Sequence, residues 1–281
     1  MVDDFNEGIK QFYSGTTALI TGASSGIGKE LSIQLVGLGV TVFGVGRNNE
    51  KLQCIVDDTK GLKGQFIPFA IDISNRDNCE KVKEVFNNKL TRLDILVNNA
   101  GIAHFSPFEA MDIEDYQYVL NTNLLAPLHI TRLFLDLLKR SNRGRIVNIC
   151  SSGAFYGVPF RSIYCASKSG MRTWSQALNL ELKRFGIKVL CVTPGSTQTE
   201  IFSNSLGRAP KTHRNPGKVV HPEKVSQKII KAAVSSSGEL VISLSDKMIL
   251  LLSRVIPGVL NKLIKYTSAS EEEHIYGDRR S

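Results

Sequence analysis

Seven short runs rich in Val, Ile and Leu, separated by stretches with helical periodicity, constrain this chain more than any other feature. They read TTALIT, VTVFGVG, GQFIPFAI, LDILVNN, GRIVNIC, IKVLCVT and ELVISL, from Thr16 to Leu244. A strand covered on both faces has no solvent side, so its apolar residues run on instead of alternating. Strands of that kind interleaved with helices predict an α/β fold: a doubly wound, mostly parallel seven-stranded sheet of Rossmann-like type. Right-handed crossovers bring the loops at the strand carboxyl ends to one edge, where ligands bind.

The 281 residues are 42% hydrophobic and 22% charged, the balance of a single soluble domain. The expected organisation is a main domain over 1–245, an amphipathic extension over 246–266 and a loose polar tail over 267–281. A formal charge of +9 suits an anionic ligand or an acidic membrane surface. Nucleic acid is disfavoured, because no dense basic block with interleaved aromatics occurs. Cys54, Cys79, Cys150, Cys165 and Cys191 lack metal-ligand or redox spacing and read as reduced thiols. The opening MVDDFNEGIKQFY is acidic and mixed where a secretory signal is basic and then apolar, so the expected compartment is cytoplasmic. No run of about twenty apolar residues marks a membrane-spanning helix.

Between the first run and the helix after it, Gly22, Gly26 and Gly28 stand in a G-x-x-x-G-x-G spacing. Glycine permits a sharp turn and close backbone approach, while free amides and the dipole of the next helix attract phosphate. Gly22, Gly26 and Gly28, with Ile27 between the last two, thus form a candidate cradle for a dinucleotide's pyrophosphate, although a ligand-free tight turn has the same spacing. About twenty residues further on, an NAD site usually carries an acid for the ribose hydroxyls. VTVFGVGRNN has none, and Arg47 can pair with a 2′-phosphate, which favours NADP(H) over NAD(H).

Tyr164 precedes Lys168 by one helical turn, in a segment with helical potential from Ile163 to Phe185, so the two share a face. A free phenol, with a pKa of about 10, transfers protons poorly at neutrality. An ammonium about 5 Å away, at an effective dielectric of about 20, favours the phenolate by about 3 kcal/mol, or roughly two pKa units. The spacing therefore predicts a Tyr164 brought into working range by Lys168.

TGASSGIG, NNAG at Asn98–Gly101, the Asn of NTNLLAP, a serine thirteen residues before the tyrosine, YCASK and PGSTQT resemble, in order and spacing, the short-chain dehydrogenase/reductase family. The resemblance spans Thr16 to Thr199, with a weaker echo to Leu244, and implies a single-domain oxidoreductase working between C=O and CH–OH. It implies that Tyr164 is the general acid for carbonyl reduction and the base for alcohol oxidation. Lys168 would lower its pKa and hold the nicotinamide ribose. Ser151, favoured over Ser152 by the count back from Tyr164, matches the serine that bonds the substrate oxygen. Asn123, favoured over Asn121 because NLLAP begins with it, matches the asparagine that positions a water in the proton relay. Asp72 corresponds to the acid at adenine, Asn99 to the residue beside the adenosine ribose, Ser24 to a holder of the 2′-phosphate, and Thr199 to the hydroxyl at the nicotinamide carboxamide. Many NADP-preferring relatives carry a basic residue just before the second glycine, where this chain has Ser25, so the NADP reading rests mainly on Arg47. Dimers and tetramers are common in the family.

The segment EIFSNSLGRAPKTHRNPGKVVHPEKV reads as a mobile lid, with Arg208, Lys211, Arg214 and Lys218 either solvated or facing an acidic group. From Asp246 to Tyr266, Met248, Leu252, Val255, Ile256, Val259, Leu260, Leu263 and Ile264 recur at helical spacing, opposite Arg254, Gly258, Asn261, Lys262 and Lys265. Pro257 should kink such a helix. It fits a membrane interface such as the cytosolic face of the endoplasmic reticulum, a cover over the substrate pocket, or a subunit contact. Relatives with such an extension often act on hydrophobic ketones or alcohols, so the resemblance implies a lipophilic substrate of steroid, retinoid or fatty-acyl type. The competing function is a non-catalytic NADP-binding sensor or scaffold, which need not keep all of Asn123, Ser151, Tyr164 and Lys168. His104, His129, His213, His221 and His274 show no ligand spacing, and no metal is expected.

Overall fold

The computed structural model describes residues 4–87, 90–201, 203–207 and 219–276, with side chains as far as 269. Seven strands, β1 (Thr17–Thr21), β2 (Thr41–Gly46), β3 (Gln65–Ala70), β4 (Ile95–Asn98), β5 (Arg145–Ile149), β6 (Lys188–Thr193) and β7 (Gly238–Val241), form one sheet in the order β3-β2-β1-β4-β5-β6-β7. Every neighbouring pair is parallel. All seven apolar runs are strands. The last one stops at Val241 instead of Leu244 because the Ser243 hydroxyl already accepts from the amide of Asp246 and caps the next helix.

Side chains alternate between the two faces of each strand. Ala18, Ile20, Ile95 and Val97 point to one core, with Leu31 and Leu35 of α2 (Gly26–Gly37) and Ile229 and Ile230 of α8 (Pro222–Ser235). Leu19 and Leu96 point to the other, with Phe86 of α4 (Arg76–Asn87), Phe134 of α6 (Ala126–Lys139) and Leu182 of α7 (Ser162–Leu182). The chain moves outward from β1 through β2 to β3, then returns to β4 on the other side of β1 and continues to β7. The carboxyl ends of β1 and β4 are therefore the topological switch point, where a crevice opens. Helices α1 (Glu7–Tyr13), α3 (Asn49–Asp58) and α5 (Ile113–Leu120) complete the layers.

After β7 come α9 (Leu244–Val255) and α10 (Pro257–Tyr276), broken at Ile256. A residue before proline is pushed out of the helical region, and Ile256 sits at φ −138° and ψ 62°. Helix α10 runs beyond Tyr266 into the stretch expected to be loose. TSASEEEHIY holds neither proline nor glycine and has three consecutive glutamates, which a helix tolerates. No described helix is long and apolar enough to cross a membrane.

Candidate active site

The turn after β1 has no room for side chains. Gly22 and Gly26 take φ values of +65° and +54°, and a Cβ on Gly28 would lie 2.2 Å from the Gly22 carbonyl oxygen. Asn99, just beyond β4, donates from Nδ2 to the carbonyls of Thr21 and Gly22, each at 3.0 Å, and so fastens the turn to the centre of the sheet. Ser25, the N-cap of α2, makes no side-chain capping hydrogen bond, which leaves the first amides of that helix for an anion. Backbone donors, no obstructing Cβ and a helix N-terminus together fit a pyrophosphate.

Beside this turn, at the end of β2, Ser24 packs against Gly46, where an added Cβ would come 3.1 Å from its Oγ. Arg47 follows, and its Nη1 donates to the Tyr118 hydroxyl at 2.6 Å. Tyr118 in turn donates to Asp72 Oδ2 at 3.0 Å, while Asp72 Oδ1 accepts the Ser74 amide at 2.9 Å. Arg47 and Asp72 are thus joined through a tyrosine that the sequence reading passed over. Gly22, Ser24, Gly26, Arg47, Asp72, Asn99 and Tyr118 line one cavity of ≈ 620 Å³, together with Ile27, Thr199, Ser151, Tyr164 and Lys168.

Helix α7 begins at Ser162 and carries Tyr164 and Lys168 into that cavity one turn apart. Lys168 is buried, and its Nζ donates to the Ile149 carbonyl at the end of β5 at 2.9 Å. Asn123 lies in a π-turn, Asn121–Leu125, between α5 and α6, a shape frequent at functional positions. Its Oδ1 accepts the Ile102 amide at 2.8 Å, and its Nδ2 donates to the Ile102 carbonyl at 2.9 Å and to Ser167 Oγ at 3.0 Å. Asn123 Oδ1 and Lys168 Nζ would each lie 3.3 Å from a Cβ on Gly101, so that glycine lets both approach. The Ser151 hydroxyl bonds Tyr164, whereas Ser152 bonds Tyr156, which sorts the two adjacent serines.

One expectation is corrected. Burial pushes the Tyr164 phenol up to about 12, with the Ser151 hydrogen bond opposing this. Loss of water around the phenolate outweighs the nearby charges. The same burial pulls Lys168 below its ordinary value.

The model of the short chain dehydrogenase family matches residues 16–208. The chain belongs to the short-chain dehydrogenase family. It is an oxidoreductase of CH–OH and C=O groups that uses a nicotinamide cofactor, so the binding-only alternative is set aside. It is 34% identical over 230 residues to a 3-oxoacyl-(acyl-carrier-protein) reductase of Thermotoga maritima, covering 79% of this chain and 92% of the relative. It is 29% identical over 260 residues to the ketoacyl reductase HetN of a Nostoc species, covering 90% of this chain and 89% of the relative. Among solved structures, a metagenomic short-chain oxidoreductase in complex with NADP superposes with a TM-score of 0.69 at 27% identity, covering 82% of this chain and 97% of that one.

In this short-chain dehydrogenase, α9 and α10 close the far side of the cavity with Ile249, Leu252, Leu260, Leu263 and Ile264. Leu252, Leu260, Leu263 and Ile264 belong to the apolar face expected from the sequence. Met248, Val255, Ile256 and Val259 of that face are instead exposed, because the break at Ile256 rotates the two halves of the pattern apart. Lys51 of α3 reaches across the mouth to Glu200 at 2.6 Å. Arg208, Lys211, Arg214, Lys218 and His213 lie outside the described residues, as does the side chain of His274. Among the described residues no cluster of His, Cys, Asp or Glu could hold a metal. The sequence reading missed Tyr118, Tyr156 and Arg161 as cavity-lining groups. Arg161 stands just before α7 as its N-cap, three residues ahead of Tyr164.

Proposed function

We propose that the chain is an NADP(H)-dependent reductase of a lipophilic carbonyl compound with a fatty-acyl-like chain. The observation that carries this reading is the apolar wall that α9 and α10 lay over the catalytic end of the cavity. Such a wall rewards a hydrocarbon by about 25 cal/mol for each Å² removed from water. The ketoacyl reductases among the relatives agree with it. NADP is favoured by Arg47 at the end of β2 and by Ser24 of the turn after β1 beside it, where a carboxylate would repel a 2′-phosphate.

The reduced nicotinamide, when bound, supplies the hydride that reaches the carbonyl carbon. Tyr164 gives its phenolic proton to the oxygen as negative charge develops there, and Ser151 orients that oxygen by a hydrogen bond. A phenol kept protonated by burial is the form that reduction requires. Lys168 holds the ribose, and Asn123, fastened to the Ile102 backbone, positions the water that returns a proton to Tyr164. Asp72 and Asn99 flank the adenosine and Thr199 the carboxamide.

The outer apolar side of α9 and α10 is read as a peripheral contact of a cytoplasmic protein with a membrane or with a second copy. Flotation with acidic liposomes and sedimentation of the free protein separate the two. A panel of long-chain ketones, sugars and polyols, run with NADPH and with NADH, tests the reading as a whole. Reduction of long-chain ketones with NADPH is expected; turnover confined to small hydrophilic substrates would contradict it.

A further inference from the structure

The substrate end of the cavity also holds a carboxyl group that the reaction does not use. Asp246 stands in the first turn of α9 and is only 6% exposed, yet it lines the cavity. Its backbone amide donates to the Ser243 hydroxyl at 3.0 Å, and the same hydroxyl acts on the carboxyl. Among the described residues its Oδ2 has no hydrogen-bond partner. That oxygen lies against the turn after β6, where a Cβ on Gly195 would come within 3.3 Å of it. A buried acceptor without a donor costs free energy, and sites of this kind exist where a ligand provides the missing partner.

Its neighbours narrow what that partner is. The wall passes from Tyr164 to Ser151 and Ser152, then to Tyr156, which feels the charge of both Asp246 and Arg161. Asp246 lies against Gly195 in the turn after β6, and α9 packs on the short Ser152–Ala154 turn beside Ser151, which puts the carboxyl near that end of the cavity. Arg161 lies in the same cavity with its guanidinium 4.7 Å from the Phe105 ring centre.

We propose that Asp246 is a specificity-determining residue whose carboxyl accepts a hydrogen bond from a hydroxyl group carried by the carbonyl substrate. The substrate class is then a hydroxy ketone or hydroxy acyl ketone, a refinement that rests on the carbonyl-reductase reading above. A site built to accept a hydrogen bond discriminates strongly against an analogue that lacks the donor.

The test is a matched series of plain, hydroxy and amino ketones, each in short-chain and long-chain form, assayed with NADPH on the wild type, Asp246→Leu and Asp246→Asn. NADPH affinity is measured in parallel. The wild type is expected to prefer the hydroxy ketone by at least about tenfold in kcat/KM, carried by KM. Asp246→Leu should collapse that ratio, and Asp246→Asn should retain part of it because the amide oxygen still accepts. NADPH affinity should hold in both, which also reports a folded protein. An unchanged ratio in both variants, a preference for the amino ketone, or a loss seated in NADPH affinity would overturn the proposal. A wild type that favours short chains throughout would instead overturn the lipophilic reading, and the hydroxyl dependence would still be read from the short series.

Discussion

Lys168 donates its ammonium to the main-chain carbonyl of Ile149 at 2.9 Å, across the floor of the cavity from β5. This bond holds the lysine in the site beside Asn123 at Gly101.

Titration of Tyr164 should follow its burial. Its folded pKa of about 12 lies above the ordinary 10.0, so the native state keeps a proton that the unfolded chain releases. Stability from this group is complete below pH 10 and falls as pH rises from there to about 12. Denaturation of the cofactor-free protein across that window should show a steeper loss in the wild type than in Tyr164→Phe; equal slopes would contradict the burial argument.

Removing the Ser151 hydroxyl takes away the one hydrogen bond that opposes the rise in Tyr164. Alcohol oxidation uses the phenolate, so Ser151→Ala should move the rising limb of its pH profile to higher pH and lower the rate by about 10²–10³. Ser152→Ala, which loses only a contact to Tyr156, should leave that limb in place.

The cradle is tested at Gly28. Its added Cβ would meet the backbone oxygen of Gly22 at 2.2 Å, and a backbone atom cannot swing aside as a flexible side chain does. Gly28→Ala should cost about 1–3 kcal/mol of stability and weaken NADPH binding at least about tenfold. Gly258→Ala in α10, where nothing lies within 4 Å, should stabilise by about 0.5–1 kcal/mol. Thermal melts with and without NADPH read both.

Cofactor choice should depend on Arg47. Charge-assisted hydrogen bonds contribute about 1.5–3 kcal/mol, so Arg47→Gln should weaken NADPH roughly 10- to 100-fold and leave NADH affinity nearly unchanged. Equal losses for both cofactors would show that Arg47 acts only through Tyr118.

Chain length tests the wall of α9 and α10. Each buried methylene contributes about 0.8 kcal/mol, roughly a fourfold gain in kcat/KM. That gain should flatten in a Leu260→Ala, Ile264→Ala double variant, measured over a series of ketones.

The sheet was legible because strands buried on both faces leave continuous apolar runs, and β1 and β4 are of this kind: Leu19, Ile20 and Leu96 are fully buried. Tyr164 and Lys168 were legible because one helical turn is a local distance. Tyr118 was not, since its link to Arg47 joins residues 71 apart in sequence, a separation no local spacing encodes. Asp246 was hidden differently: an acid in the first turn after Ser243 reads as an ordinary helix-start residue, and only the cavity beside it distinguishes it. The rise in Tyr164 escaped a pairwise Coulomb argument because desolvation, absent from that argument, exceeds the charge terms.

The central claim is that Tyr164 gives the proton, and one comparison tests it most directly: steady-state reduction of a long-chain ketone by Tyr164→Phe, with NADPH affinity measured on the same sample. The account expects kcat to fall by about 10²–10⁴ while NADPH affinity stays within about threefold of wild type. Near-normal turnover by the phenylalanine variant would contradict it.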